Sequence, residues 1–292
     1  MSVTILDVSK YQGRIDWPVL AASGQCAGVI CKATDGQTGV DSTLAVNFDG
    51  ANVVGLLLGT YHFAQPDEEP GDAAKEATHY VRTVQAEAAK SPARTQPLLY
   101  ALDIEKARAI RSGKPFVDWC RTFVETVEAL TGLVCWVYTG GPFFDEHDGN
   151  ISAEDAAFFA RRPLWLAAYV DNPTRYVAMT PWRDVGLTMH QWAGDVAPGG
   201  KPGIRYPGIT ANVVDTNRFD GTIDDLRAVV ARPALGLRDT DPLPPPLDSS
   251  EPTWPGGRGP AGIFDGPATP LRAGEGEHTV RLEDDEDWKG VT

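Results

Sequence analysis

Eight apolar runs recur along the chain: VTILDVS (3–9), GVICKAT (28–34), GLLLGTYHFA (55–64), PLLYALDIE (97–105), LVCWVYTG (133–140), PLWLAAYV (163–170), LTMHQWA (187–193) and NVVDTNRF (212–219). Each is nearly continuous in hydrophobicity, the pattern of a strand buried on both faces rather than one alternating between core and solvent. Helical spacing lies between several of them. PGDAAKEATHYVRTVQAEAAK (70–90) is Ala-rich and opens on Pro70, and PFVDWCRTFVETVEAL (115–130) repeats Phe116, Trp119, Cys120, Phe123, Val127 and Leu130 at helical spacing, which predicts two amphipathic helices. Strand, helix, strand repeated through the first two-thirds predicts a parallel sheet, and eight strands in this length predict closure. The connections 171–186 and 194–210 are too rich in Gly and Pro for full helices. The expected fold class is therefore α/β: an irregular TIM-like (β/α) barrel of eight strands, with helices incomplete in the last third.

Composition divides the chain into a barrel over 1–232 and a tail over 233–292. The tail holds ten of the 23 prolines and almost no periodic stretch, and its five basic and twelve acidic residues supply net −7 of the whole chain's −14. DPLPPPLDSSEPTWPGG (241–257) reads as an extended linker and LEDDEDW (282–288) as too charged for a core, so the tail is expected to lack a fold of its own. The acidic balance disfavours nucleic acid and anionic membranes as partners. No segment approaches 18 uninterrupted apolar residues, and MSVTILDVSKYQG lacks a basic stretch followed by an apolar one, so neither membrane insertion nor a signal peptide is expected. Cys26, Cys31, Cys120 and Cys135 show no CxxC spacing and no His/Cys cluster; they read as reduced, buried thiols, and no metal or cofactor is expected.

The chemistry enters where the runs end. In LLYALDIEKA (98–107) Asp103 and Glu105 follow a buried run with only Ile104 between them. Residues i and i+2 of a strand share a face about 7 Å apart, so two carboxyls would sit side by side, a costly arrangement that raises one pKa. Other runs also end on polar or aromatic groups: Asp7, Lys32, Tyr61 and His62, Tyr138, Tyr169, Gln191 and Trp192, Asp215. In a βα barrel such strand ends form one rim, where active sites are built. Asp7 and Asp215, from the first and last runs, are expected to meet at the seam of closure. Four carboxylates around one mouth serve either metal ligation or acid catalysis on a sugar.

The motifs DVSKYQGRIDW (7–17), ICKATDG (30–36), GTYHFA (59–64), LDIE (102–105), LWLAAY (164–169) and VDTNRFDG (214–221) resemble, in order and spacing, those of the family 25 glycoside hydrolases, the muramidases or lysozymes common in phages and bacteria. The resemblance covers about residues 3–221. It implies an irregular eight-stranded barrel that cleaves the β-1,4 bond between N-acetylmuramic acid and N-acetylglucosamine in peptidoglycan. The family's catalytic glutamate falls on Glu105, as general acid, and its neighbouring aspartate on Asp103, which would orient the substrate's 2-acetamido group as nucleophile or stabilise the charge that develops. Asp7 and Asp215 take the two further motif acids, in substrate binding and in setting the pKa of Glu105. Tyr61, Tyr138, Tyr169, Gln191 and Trp192 complete the expected binding set, the aromatics as sugar-stacking faces or as core. The missing signal sequence, together with a substrate outside the membrane, leads to the expectation of a phage or prophage endolysin held in the host cytoplasm until a holin opens the membrane, and a monomer is expected. A wall amidase or peptidase would need a zinc site or a Cys/His pair, and a silent glycan-binding barrel would have lost Glu105. The approach to the last aspartate is longer than the family usually shows, so 194–210 is expected to reshape one side of the groove. The tail resembles no wall-binding module.

Overall fold

The computed structural model describes residues 2–90, 96–140, 142–177, 181–194 and 204–234. The tail beyond 234, with the expectation that it lacks a fold, and the middle of the 194–210 connection lie outside the described residues. All eight runs are strands: β1 (Ser2–Val8), β2 (Gly28–Asp35), β4 (Leu57–Phe63), β5 (Leu99–Asp103), β6 (Cys135–Gly140), β7 (Leu164–Ala167), β8 (Met189–Ala193) and β9 (Asp215–Asp220), with a short β3 (Gly39–Val40) on the edge of β2. They close in the order β1-β2-β4-β5-β6-β7-β8-β9, β1 pairing with both β2 and β9.

Both faces of this ring are buried, which explains the continuous hydrophobicity. Ile5, Ile30, Leu99, Trp136, Trp165, Met189 and Phe219 fill the interior, while Leu6, Val29, Leu58, Leu102 and Val137 point outward into a second cluster under the helices. The helices are α1 (Trp17–Ala22), α2 (Leu44–Val53), α3 (Asp72–Ala88), α4 (Lys114–Thr131), α5 (Phe143–Asp148), α6 (Ala153–Ala160), α7 (Thr174–Val177) and α8 (Ile223–Val230). Leu226 and Val230 of α8 join the interior cluster. α4 starts with Pro115 in its first turn and stops at Gly132, whose φ of 73° is left-handed, the asymmetry of a helix with its ends written in the sequence. Of its expected core residues only Leu130 differs, at 43% exposed, because the apolar periodicity runs one turn past the packed face.

The last third is irregular, as α7 with its single turn shows. β9 runs antiparallel to both β1 and β8. A parallel strand needs a crossover, usually a helix. Here residues 204–214 instead lie against the 13–16 segment, with Ile209 bridging Ile15 and Asp16 N donating to the Gly208 carbonyl at 2.6 Å. The chain thus enters β9 from the rim at which β1 ends.

Candidate active site

That reversal puts Asp215, the first residue of β9, directly opposite Asp7 near the end of β1. Three bonded neighbours continue the rim: Phe63 of β4 pairs with Asp103 of β5, which pairs with Tyr138 of β6. Ile104 is buried in the outer cluster and its N–H donates to the Tyr138 carbonyl at 2.9 Å. The strand geometry therefore persists past Asp103 and Glu105 returns to the inner face. Asp7, Asp103, Glu105 and Asp215 line one cleft of about 160 Å³ together with Tyr61, Tyr138 and Gln191.

Two expected residues stand apart from the lining. Tyr169 reaches Gln191 instead, its hydroxyl donating to Oε1 at 3.1 Å. Trp192, at the register shift between Gln191 and Ala193 of β8, is half-buried and absent from the lining. His62 points outward, where its Nε2 meets Glu76 Oε2 at 2.8 Å and its Nδ1 meets Thr34 at 2.7 Å. Conversely, Lys32, Phe63 and Trp165 line the cleft and were not assigned from the sequence. Strand parity could have found Trp165, two residues before the small inward Ala167. Its ring packs edge-on against Tyr138 and Tyr61, at centroid distances of 4.6 and 6.2 Å.

The carboxyls have unequal surroundings. Asp103 is buried and its Oδ1 has no hydrogen-bond partner. Burial first, and the charge of Glu105 second, push its pKa well above the carboxylate range, with Lys32 opposing. Glu105 is open at the mouth; partial desolvation raises its pKa, while Lys106 and Lys32 hold it back. Asp7 is pushed up to about 6 by burial, against hydrogen bonds from Asn217 and Gln191 that favour its ionised form. Such a cluster retains protons near neutral pH. Among the described residues, no three His, Cys, Asp or Glu side chains are grouped to hold a metal ion. The four cysteines are buried free thiols.

Carboxyls that share protons between aromatic walls, at the rim of a closed barrel, are the equipment of glycoside hydrolases. Comparison with known proteins gives the family: the sequence profile of glycosyl hydrolases family 25 matches residues 6–200, and the chain belongs to that family. Asp215 lies beyond the matched segment, and its place in the site rests on the pairing of β9 with β1. The chain is 29% identical over 239 residues to uncharacterized protein YegX of Escherichia coli K12, covering 80% of this chain and 74% of that one. It is 25% identical over 228 residues to lysozyme M1 of Streptomyces globisporus, covering 77% and 70%. The family GH25 lysozyme structure from Aspergillus fumigatus superposes with a TM-score of 0.60 at 26% identity, over 79% of this chain and all of that one.

Proposed function

We propose that the chain is a peptidoglycan muramidase that hydrolyses the β-1,4 bond between N-acetylmuramic acid and N-acetylglucosamine, with Glu105 as general acid and Asp103 as its partner. Membership of family 25 and the names of the lysozyme relatives support the substrate. The observation that carries the roles is the contrast within the pair: Asp103 is the inner, buried carboxyl with an unpartnered oxygen, and Glu105 the outer one that faces the cleft. In the free protein burial favours the proton on Asp103. An amide N–H arriving at Asp103, such as that of the 2-acetamido group, stabilises its ionised form and passes the advantage of protonation to Glu105. Glu105 then protonates the leaving oxygen, while ionised Asp103 orients the acetamido group against the anomeric carbon and balances the charge of the oxocarbenium-like transition state. Half-buried Tyr61 offers a ring face to the sugars, with buried Tyr138 and Trp165 packed edge-on behind it.

Incubating purified peptidoglycan with the protein, and counting new reducing ends against new free amino groups, tests this reading. Reducing ends terminating in muramic acid are expected, falling by roughly 10²- to 10⁴-fold in Glu105→Gln, where shape is kept and the transferable proton lost. Asp103→Asn is expected to be comparably severe. Asp7→Asn and Asp215→Asn are expected to be milder. Free amino groups in place of reducing ends, or full activity in Glu105→Gln, overturns the proposal. Release through a membrane opened by a holin belongs to the same proposal, and a gene neighbourhood without phage lysis or structural genes counts against it.

A further inference from the structure

Asp7 is held in an unusually one-sided way. Gln191 Nε2 and Asn217 Nδ2 both donate to the same oxygen, Oδ2, at 3.1 and 2.8 Å. The Asn217 amide cannot turn over. Asn217 Nδ2 also donates to the Ile5 carbonyl at 3.1 Å, and its Oδ1 accepts from the indole Nε1 of Trp165 at 2.6 Å. An indole can only donate and a backbone carbonyl can only accept, so a flipped Asn217 would set like poles together on both sides. Gln191 is oriented by Asp7 itself: its Oε1 lies with the hydroxyls of Tyr138 and Tyr169 at 3.0 and 3.1 Å, groups that can donate or accept, and the ionised carboxylate selects Nε2 as the end that faces it. Asn217 and Gln191 are direct partners in the β8–β9 register, and Asn217 is the partner of Ile5 in β1. The seam where the barrel closes thus carries two hydrogen-bond chains that run from aromatic side chains to Asp7 Oδ2, and the one through Asn217 has a fixed polarity. Asn217 and Gln191 are both almost fully buried, so water does not replace either donor.

We infer that Asn217 and Gln191 are positioning residues that clamp Asp7 through Oδ2 and so fix the direction in which its carboxyl meets a hydroxyl or amide N–H of the substrate. Gln191 therefore acts through Asp7, and Trp165 supports the clamp with its indole N–H while its ring lines the cleft. Only the nature of the sugar group rests on the muramidase reading. The groups facing Asp7 are Lys32 on β2, Tyr61 on β4, Asp103 and Glu105 on β5, Tyr138 on β6 and Asp215 on β9, with Cys31 and Asp41 on the far side of β2. A substitution at Asn217 or Trp165 removes none of them.

The test reads the Asp7 carboxyl directly, by carbon-13 NMR titration of wild type, Asn217→Ser and Trp165→Phe, without substrate. A lost donor disfavours the ionised form, so the midpoint near 6 in wild type is expected to move upward in Asn217→Ser. It should move less in Trp165→Phe, where the amide stays but is free to turn. The kcat/KM of each variant should fall about tenfold, the scale of one hydrogen bond to a charged group, and should fall no further when the same change is made in an Asp7→Asn background. Thermal melts establish that each variant folds, and Trp165→Phe serves where Asn217→Ser does not. An unmoved Asp7 midpoint in a folded variant, or losses that add in full to that of Asp7→Asn, overturns the clamp. The muramidase reading fails separately, if wild type yields no reducing ends.

Discussion

Glu76 and Asp103 are two buried carboxyls that burial raises for different ends. Glu76 sits on α3 behind the rim, almost wholly buried, with its Oε2 accepting from Gln65 N at 3.1 Å and facing His62 Nε2 at 2.8 Å. Desolvation first, then Asp72, Asp35 and Asp67, lift its pKa to about 8, and burial pushes His62 down. Both shifts favour the uncharged pair, a protonated carboxyl hydrogen-bonded to a neutral imidazole. Because Glu76 has a higher pKa folded than unfolded, its stabilising contribution is full below the ordinary value of 4.5 and is lost as pH rises toward 8. His62, lowered on folding, costs stability in the other direction, as pH falls below its ordinary value of 6.5. Glu76→Gln keeps an amide oxygen for both contacts and removes the titration. Thermal melts across that range should show the alkaline loss in wild type and a flatter profile in the variant; an equal slope in both would sink the assignment. Lys32 works on the two cleft acids instead, lowering Asp103 and Glu105 alike. Lys32→Gln should raise both, so that Glu105 keeps its proton to higher pH. The alkaline limb of kcat/KM would then move upward, and a limb that stays put or moves down would show that Lys32 does not face the acid.

At the scale of elements, packing reverses a local preference at Gly50 in α2. Replacing a mid-helix glycine by alanine ordinarily gains about 1 kcal/mol in helix propensity. A Cβ here would lie 2.1 Å from Trp17 Cδ1 and Nε1, and Trp17 is a buried residue of α1. Overpacking of that kind costs roughly 1–3 kcal/mol, so Gly50→Ala should be less stable in urea denaturation, and a gain would show that α1 yields at no cost. The same scale decides what was legible in the sequence. The eight strands were readable because a strand buried on both faces leaves an uninterrupted apolar run, and the Asp103–Glu105 pair because strand parity survives through Ile104. The direction of β9 was not, since an apolar run has no polarity of its own; the path of residues 204–214 sets it. Asn217 follows Asp215 by two and was within reach of the same parity rule. Its bonds to Trp165 and Asp7 depend on the register of β1, β7, β8 and β9 together, which no single run contains. Tyr169 and Trp192 looked equivalent to Tyr138 as aromatics at strand ends, and which aromatics face the cleft is fixed only by those registers.

For the whole molecule, the ties of the chain to the barrel run at least two residues past the composition boundary at 232. Val134 N donates to the Arg232 carbonyl at 3.1 Å, Ala234 N to the Gly132 carbonyl at 2.9 Å, and Pro233 bridges Leu133. A chain cut after 234 keeps these ties, whereas one cut after 231 gives up both backbone bonds and the Arg232 side chain's bond to the Arg161 carbonyl. The first should melt with the full chain and retain its turnover on solubilised peptidoglycan; the second should melt lower. The tail's net −7 leaves the remaining barrel at −7 of the total −14, and this has a kinetic consequence if the substrate is a wall bearing anionic groups. Exposed like charges repel over a Debye length of about 10 Å at 0.1 M salt and about 30 Å at 0.01 M, and such fields act on encounter rates. Removing residues 235–292 should therefore speed attack on intact walls at low ionic strength, with the two rates converging as salt is added. Solubilised fragments, small and weakly charged, should show little difference at any salt. The opposite result, a truncated enzyme slower on intact walls and equal on fragments, would identify the tail as a segment that attaches to the wall.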